Sequence, residues 1–379
     1  MVTYRLLMGM LRAKNQRFSS KTAWNSHLEK MYHLQLSTHM GGVLNTYELR
    51  VSMRMVQAAM VDDATLNDQA LDALETLVLK PLFDAQSLAQ EKQFLTDEWT
   101  TKRASKSFQA VKHLSEQLLA EHPYYTPLVE SQAALDAVTL DAIHDAYHTL
   151  LSAPRVLMQL GPTDRDLGTE FLTHLPVPKA PMRRFDAQYF SLKPLTLAPL
   201  EDRMKQTIMF DVYETHMRDD DSDRDALMIL NQLLGGDSES MLFKTIRETH
   251  NMAYSVGSVL ISQYGMLMIQ GMISPHNQTA YQEAVYVLMD QLLKGDYAVD
   301  DLELAKQSAI ERIKRNHDAR SALMGRAFNH VYRNQPFDQT ARINAIRAID
   351  QATITNVAQK LTYVTSFQYG AAHANSETA

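Results

Sequence analysis

The sequence contains no cysteine. That removes disulfides, thiolate metal ligands and thiol nucleophiles together, and fits a reducing, cytoplasmic setting; any metal would have to be held by His and carboxylates. No apolar run approaches the length of a membrane span, and Gly, Pro and polar tracts are not in the excess that marks disorder. Basic runs are as short as Met182-Arg183-Arg184, and the formal net charge is −7. The chain therefore lacks the electrostatic footprint of a DNA- or RNA-binding protein. There is also no G-x-S-x-G, Walker loop or G-x-G-x-x-G, so serine hydrolase, nucleotide and dinucleotide readings lack their signatures.

What is present describes a globular protein: 379 residues, 45% hydrophobic and 21% charged, with room for two domains. The opening MVTYRLLMGMLRAKNQR is interrupted by Arg5 and followed by no small-residue cleavage site, so it reads as a folded helix rather than a signal peptide.

The periodicity predicts helices over residues 3–13 and 21–32, the second capped by Ser19 or Ser20. Strands follow over 34–40 and 47–56, with Gly41, Gly42 and Asn45 as turn chemistry between them. Helices are expected over 66–80, 85–120 and 132–151, then a closing strand over 155–161. Half of the twelve prolines fall between Pro162 and Pro199, which marks a linker. Beyond it the pattern gives a strand over 206–216, an acidic run from Asp219 to Asp225, a helix to Leu234, a strand over 264–274, and helices over 279–294 and 301–320. Both halves run helix, strand, strand, helix, long helix. Laying residues 74–98 on 288–312 matches Leu74 with Leu288, Lys80 with Lys294 and Lys92 with Lys306. A duplicated α+β domain is the simplest account.

The stretch that organises the second half is residues 233–258, LLGGDSESMLFKTIRETHNMAYSVGS. Gly235 and Gly236 end one apolar helix, Asp237 or Ser238 can cap the next, and Arg247 near its end precedes a short turn and a strand bearing Tyr254. A guanidinium and a phenol on adjoining elements can donate toward one carbonyl, carboxylate or oxyanion. The plainer reading is that Arg247 caps helix carbonyls and Tyr254 fills a sheet.

Other constellations carry less. His144 and His148 share a helix face at i, i+4, a zinc-binding spacing, but Asp145 replaces the longer Glu of H-E-x-x-H. The acidic run has neither the Gly nor the terminal Glu of a calcium loop and reads as a helix start. Twenty-one Met residues read as core filling.

The 233–258 stretch resembles the signature of the C-terminal domain in the pitrilysin/insulinase family of zinc metallopeptidases, with its Gly-Gly, Leu-Phe, Arg-Glu and Ala-Tyr-Ser pattern. FDAQSLAQEKQFLTDEW and EHPYYTPLVES resemble that family's N-terminal domain. The resemblance implies an α+β fold of two homologous domains, each an antiparallel-rich sheet covered by helices, over residues 1–161 and 201–379 with the linker at 162–200. It also implies that Arg247 and Tyr254 contact bound peptide substrate.

The family's inverted zinc motif, H-x-x-E-H, matches a helix here that reads Arg5-Leu6-Leu7-Met8-Gly9. Arg5 and Gly9 replace both ligand His, Met8 replaces the catalytic Glu, and Glu98, seven residues after Glu91, stands at the third ligand. One carboxylate cannot hold zinc, and hydrolysis of this kind needs a metal-bound water and a Glu base. The strand that precedes the motif helix in that family is missing or short.

Some bacterial members of that family pair a zinc-bearing chain with one that lacks the motif and keeps the Arg and Tyr. The resemblance therefore implies a non-catalytic subunit without a cofactor of its own, zinc residing in a homologous partner; alone it can form a homodimer. The rivals are a scaffold or assembly subunit on the same fold, and a self-sufficient peptidase using His144 and His148 with Glu98.

Overall fold

A computed structural model describes all residues except 44–45, 162–164, 183–187, 219–220, 318, 334 and 372–379. The chain is a mixed helix-and-sheet protein that divides into two compact units, residues 1–105 with 127–183, and residues 106–126 with 184–379.

The first unit is built around α1 (Val2–Leu11), in which Val2, Leu6, Leu7, Met8, Gly9, Met10 and Leu11 are buried. A helix apolar on nearly every side must be surrounded, and α5 (Ala85–Ala104), α8 (Leu140–Ser152) and the strand β1 (Gln35–Val43) cover it. β1 pairs antiparallel with β2 (Thr46–Arg54), and the Thr38 hydroxyl ties β1 to α1 by donating to the Met8 carbonyl at 2.6 Å. Gly41 and Gly42 lie within β1 instead of forming the turn; Asn45 falls outside the described residues. α2 (Lys21–Lys30), α3 (Ala58–Val61), α4 (Leu66–Leu79), α7 (Gln132–Asp136) and α9 (Leu167–Thr173) complete the unit.

Caps set the helix starts as the residue types dictate. Ser20 accepts from the Ala23 amide for α2, and Thr139 from Ala142 for α8. Asp84 caps α5 through the Ser87 amide; its bond from Lys14, with that amide, holds its carboxyl down at about 2.

Three expectations are corrected here. The single helix over 85–120 breaks at Ser105, whose extended backbone separates α5 from α6 (Lys106–Leu118). The helix over 132–151 is interrupted between α7 and α8. Residues 155–161 form no strand; the Arg155 guanidinium instead donates to the carbonyls of Leu151 and Pro176 at 2.7 and 2.6 Å.

The second unit carries a five-stranded sheet in the order β3 (Leu200–Glu201), β7 (Thr362–Gly370), β4 (Thr207–Glu214), β6 (Met266–Ile273), β5 (Ala253–Ile261). All neighbours are antiparallel except β3 with β7. Alternation along β4 separates two cores. Ile208, Phe210 and Val212 face Ala110 and Leu114 of α6, while Met209 joins Leu267, Ile269 and Ile273 of β6 against the helical layer. That layer is α10 (Arg224–Asn231), α11 (Gln278–Lys294), α12 (Val299–Arg315), α14 (Gln339–Ala348) and α15 (Gln351–Ala358); α13 (Arg320–Arg333) stands apart from it. Of the acidic run, Asp219 and Asp220 lie outside the described residues. Asp223 occupies the cap position of α10, and Asp225 takes Arg342 at 2.7 Å.

Candidate functional site

Two wide-turn helical segments precede the strand that carries Tyr254, and Arg247 lies in the second of them. α10 widens into a π turn over Gln232–Gly236, and a second π segment runs over Phe243–Thr249. Wider turns of this kind recur at functional positions because they displace side chains from the ordinary helical register. Gly235, inside the first, has a non-helical backbone (φ −158°, ψ 21°) that kinks the helix near its end. A Cβ on Gly235 would collide with the backbone nitrogen of Ser258 in β5, and one on Gly257 would come within 3.0 Å of the Gly235 carbonyl. The paired glycines thus end a helix and also let it touch the strand.

Ile246, fully buried, anchors the second π segment, and Lys244 binds Asp301 at 3.0 Å and Glu239 at 3.4 Å. Arg247 points to solvent, its guanidinium carbon 4.8 Å from the centre of the Phe243 ring. Stacking on a ring four residues back orients the donor fork while leaving its edge open. The turn that follows is closed by the His250 amide on Thr245 and the Met252 amide on Ile246, with Asn251 at φ +47°. Asn277 donates to the Met252 carbonyl at 3.1 Å and braces it.

Tyr254 sits in a β-bulge. Ala253 pairs with Ile273 and Ser255 with Met272, leaving Tyr254 unopposed across the strands. A bulge re-aims a side chain, and here Ala253 is buried while Tyr254 is 73% exposed. The phenol is thus directed outward rather than packed as sheet filler. Sequence reasoning placed Arg247 and Tyr254 on adjoining elements and missed Phe243, Asn277 and the bulge. Phe243 was findable from its i, i+4 spacing to Arg247.

In the first unit, Arg5, Met8, Gly9 and Glu98, the positions that the resemblance matches to a zinc motif, lie on the packed helices α1 and α5. The Arg5 guanidinium donates to both Glu98 oxygens, at 2.9 and 3.1 Å, and Lys102 reaches the same carboxylate at 2.6 Å. Burial alone would raise the Glu98 carboxyl; the Lys102 and Arg5 contacts outweigh it and hold the group below its ordinary value. Met8 is buried, and a Cβ on Gly9 would run into the Glu91 carboxylate. The donor set does not fit a zinc ion: a fixed cation occupies the carboxylate that would serve as ligand, and neither remaining position offers a donor.

His144 and His148 are exposed on α8, His144 edge-on to Phe83 at 5.4 Å. Among the described residues no group of three or more His, Cys, Asp or Glu is placed to hold a metal ion.

The chain is similar to proteins described as inactive homologues of the M16 metallopeptidases. Residues 137–310 match the family model described as Peptidase M16 inactive domain. The chain is 23% identical over 332 residues to the "Probable inactive metalloprotease YmfF" of Bacillus subtilis (strain 168), covering 80% of this chain and 74% of that one. Among solved structures it is similar to a conserved protein from Enterococcus faecalis V583, with TM-score 0.84 and 18% identity, covering 99% of this chain and 91% of the other. It is also similar to a peptidase M16 inactive domain from Pseudomonas fluorescens, with TM-score 0.77 and 18% identity over 98% and 89% of the two chains. The fold expected from the sequence is the one these matches share. No helix among the described residues is long and apolar enough to cross a membrane.

Proposed function

We propose that this chain is a cytoplasmic, peptide-binding subunit that docks on a zinc-bearing homologue and completes its active site. The observation that carries the reading is the paired exposure of Arg247 and Tyr254: one is stacked on a ring and the other is turned out by a bulge, so both present donors to solvent. Arg247 would hold a backbone carbonyl or the oxyanion of the tetrahedral intermediate, and Tyr254 would add a second donor. Bound peptide lies extended along the open side of β5, the last strand of its sheet. Zinc, and the base that takes a proton from its water, belong to the partner. The replacement of the motif by Arg5, Met8 and Gly9 supports this division of labour.

The test is recovery of the chain from its own cells, with mass spectrometry asking whether a homologue bearing an intact H-x-x-E-H accompanies it in equal amount. In that complex Arg247→Ala lowers peptide turnover and leaves assembly unchanged. Unaltered cleavage defeats the assigned role. Recovery of the chain alone, or with unrelated proteins, favours a scaffold on the same fold, in which the Arg5–Glu98 pair is a packing device and the exposed pair has no substrate.

A further inference from the structure

The sequence between residues 312 and 333 is charged against the rest of the molecule. It holds six Lys or Arg and one acid, Asp318, in a chain whose formal net charge is −7. The cations at the end of α12, Arg312, Lys314 and Arg315, are partly explained by that helix: they oppose its dipole, and Lys314 pairs with Glu311 at 2.9 Å. On α13 the dipole favours Arg333 in the last turn, and Arg326 donates to the His317 carbonyl at 3.5 Å, but Arg320 opens the helix, where the dipole disfavours a cation. Arg320, Arg326 and Arg333 lie along its 14 residues with no acid among them, while Leu323, Met324, Ala327 and Val331 recur at the spacing of one helix face.

A helix with that pattern ordinarily buries its apolar face. None of the α13 residues is buried, and among the described residues the helix packs closely on no other helix or strand. Its rings are held locally: Phe328 lies 5.1 Å from Tyr332, and Arg326 stands 5.9 Å from the Phe337 ring. Arg315 and Arg320 are exposed and pair with no carboxylate among the described residues. The result is a basic, amphipathic ridge whose apolar arc is only half covered.

Three kinds of surface can complete such a ridge. A second copy meeting α13 with α13 would set Arg320, Arg326 and Arg333 against identical charges, which costs binding. An anionic membrane requires an apolar arc free to sink about 5–10 Å into the headgroup layer; here Leu323, Met324, Ala327 and Phe328 are already half-buried. An acidic protein face meeting the ridge side-on satisfies both the charge and the partial cover.

Resting on the function proposed above, we propose that the end of α12 and α13 form the docking surface for the homologous partner, which presents an acidic face to it. Like charge on the partner would be rejected, so the surface selects the partner as well as binding it.

The experiment measures binding of the full-length chain to the purified H-x-x-E-H homologue from the same cells, at about 0.05 M and about 0.5 M salt. The Arg315→Glu/Arg320→Glu double variant is compared with Arg315→Lys/Arg320→Lys, circular dichroism confirming that both fold. Charge reversal is expected to weaken binding about tenfold or more and the Lys pair to keep it within about twofold, with salt weakening the wild type and the Lys pair far more than the charge-reversed variant. If wild type binds and reversal changes nothing, this docking surface falls while the two-chain reading stands. If wild type does not bind the homologue, both fall. Salt-sensitive co-sedimentation with phosphatidylglycerol vesicles, lost on charge reversal, would overturn the protein-partner assignment in favour of a membrane.

Discussion

One guanidinium nitrogen of Arg5 donates to both carboxylate oxygens of Glu98, 93 residues away, at 2.9 and 3.1 Å. Arginine thus supplies a fixed positive charge to this carboxylate. The contact joins α1 to α5 without a metal and without a nucleophile. With side chains 26% and 29% exposed, it is a partly screened pair rather than a buried one.

Arg5→Met is therefore expected to lower stability by about 1 kcal/mol, since Lys102 still neutralises Glu98. Glu98→Leu strands both cations and should cost more. Urea unfolding of the two variants measures the difference, and equal losses would show that Lys102 does not share the carboxylate.

Asp211 makes stability depend on pH. It lies on β4 facing the helical layer, where one carboxylate oxygen and the Tyr281 hydroxyl are buried without hydrogen-bond partners among the described residues. Burial pushes the Asp211 carboxyl up to about 7. The native state thus keeps a proton that the unfolded chain has released, and stability falls as pH rises from about 4 to about 7. The full effect is on the order of 4 kcal/mol. Asp211→Asn should flatten the pH profile and raise the melting temperature at pH about 8.

Tyr281→Phe removes a hydroxyl that satisfies nothing in the core. It is expected to be neutral or stabilising by up to about 1 kcal/mol, in contrast to the usual loss on truncating a buried tyrosine. Thermal unfolding decides it; a drop of several degrees would mean that the hydroxyl has a partner.

Gly235→Ala is expected to destabilise the second unit by about 2 kcal/mol or more, because the new methyl meets the Ser258 backbone and neither β5 nor the helix end can give way independently. Gly325→Ala, on α13 with open space around it, should change stability little or raise it. Denaturant midpoints of the pair separate close approach from backbone freedom.

Phe243→Ala tests the Arg247 shelf. It leaves the guanidinium in place and removes the ring beneath it, so peptide turnover by the complex proposed above should fall by about threefold to tenfold. Tyr254→Phe, which removes only the hydroxyl, separates a donor role from a packing role.

Much of this was legible in the residues because it is local. The caps at Ser20 and Thr139, the apolar run of α1, the Gly-Gly pause before Asp237 and the adjacency of Arg247 and Tyr254 all follow from periodicity and turn chemistry acting within a few residues. Residue identity alone also shows that Arg5, Met8 and Gly9 offer neither an imidazole nor a carboxylate. The break at Ser105 was not, because α5 and α6 are each good helix and only their membership of different compact units separates them. The missing strand at 155–161 failed for a related reason: β-forming residues make a strand only where an edge is placed to pair with them.

The sequence by itself determined that the protein builds large cores, has no thiol chemistry and carries no imidazole at positions 5 or 9, because composition and residue identity do not depend on packing. Only the tertiary structure decided which cation meets Glu98 and how the exposed pair is presented. Glu98 meets Arg5 through the packing of α5 on α1, and Tyr254 faces outward through a one-residue slip between β5 and β6. Both outcomes depend on contacts between chain segments that no local propensity encodes.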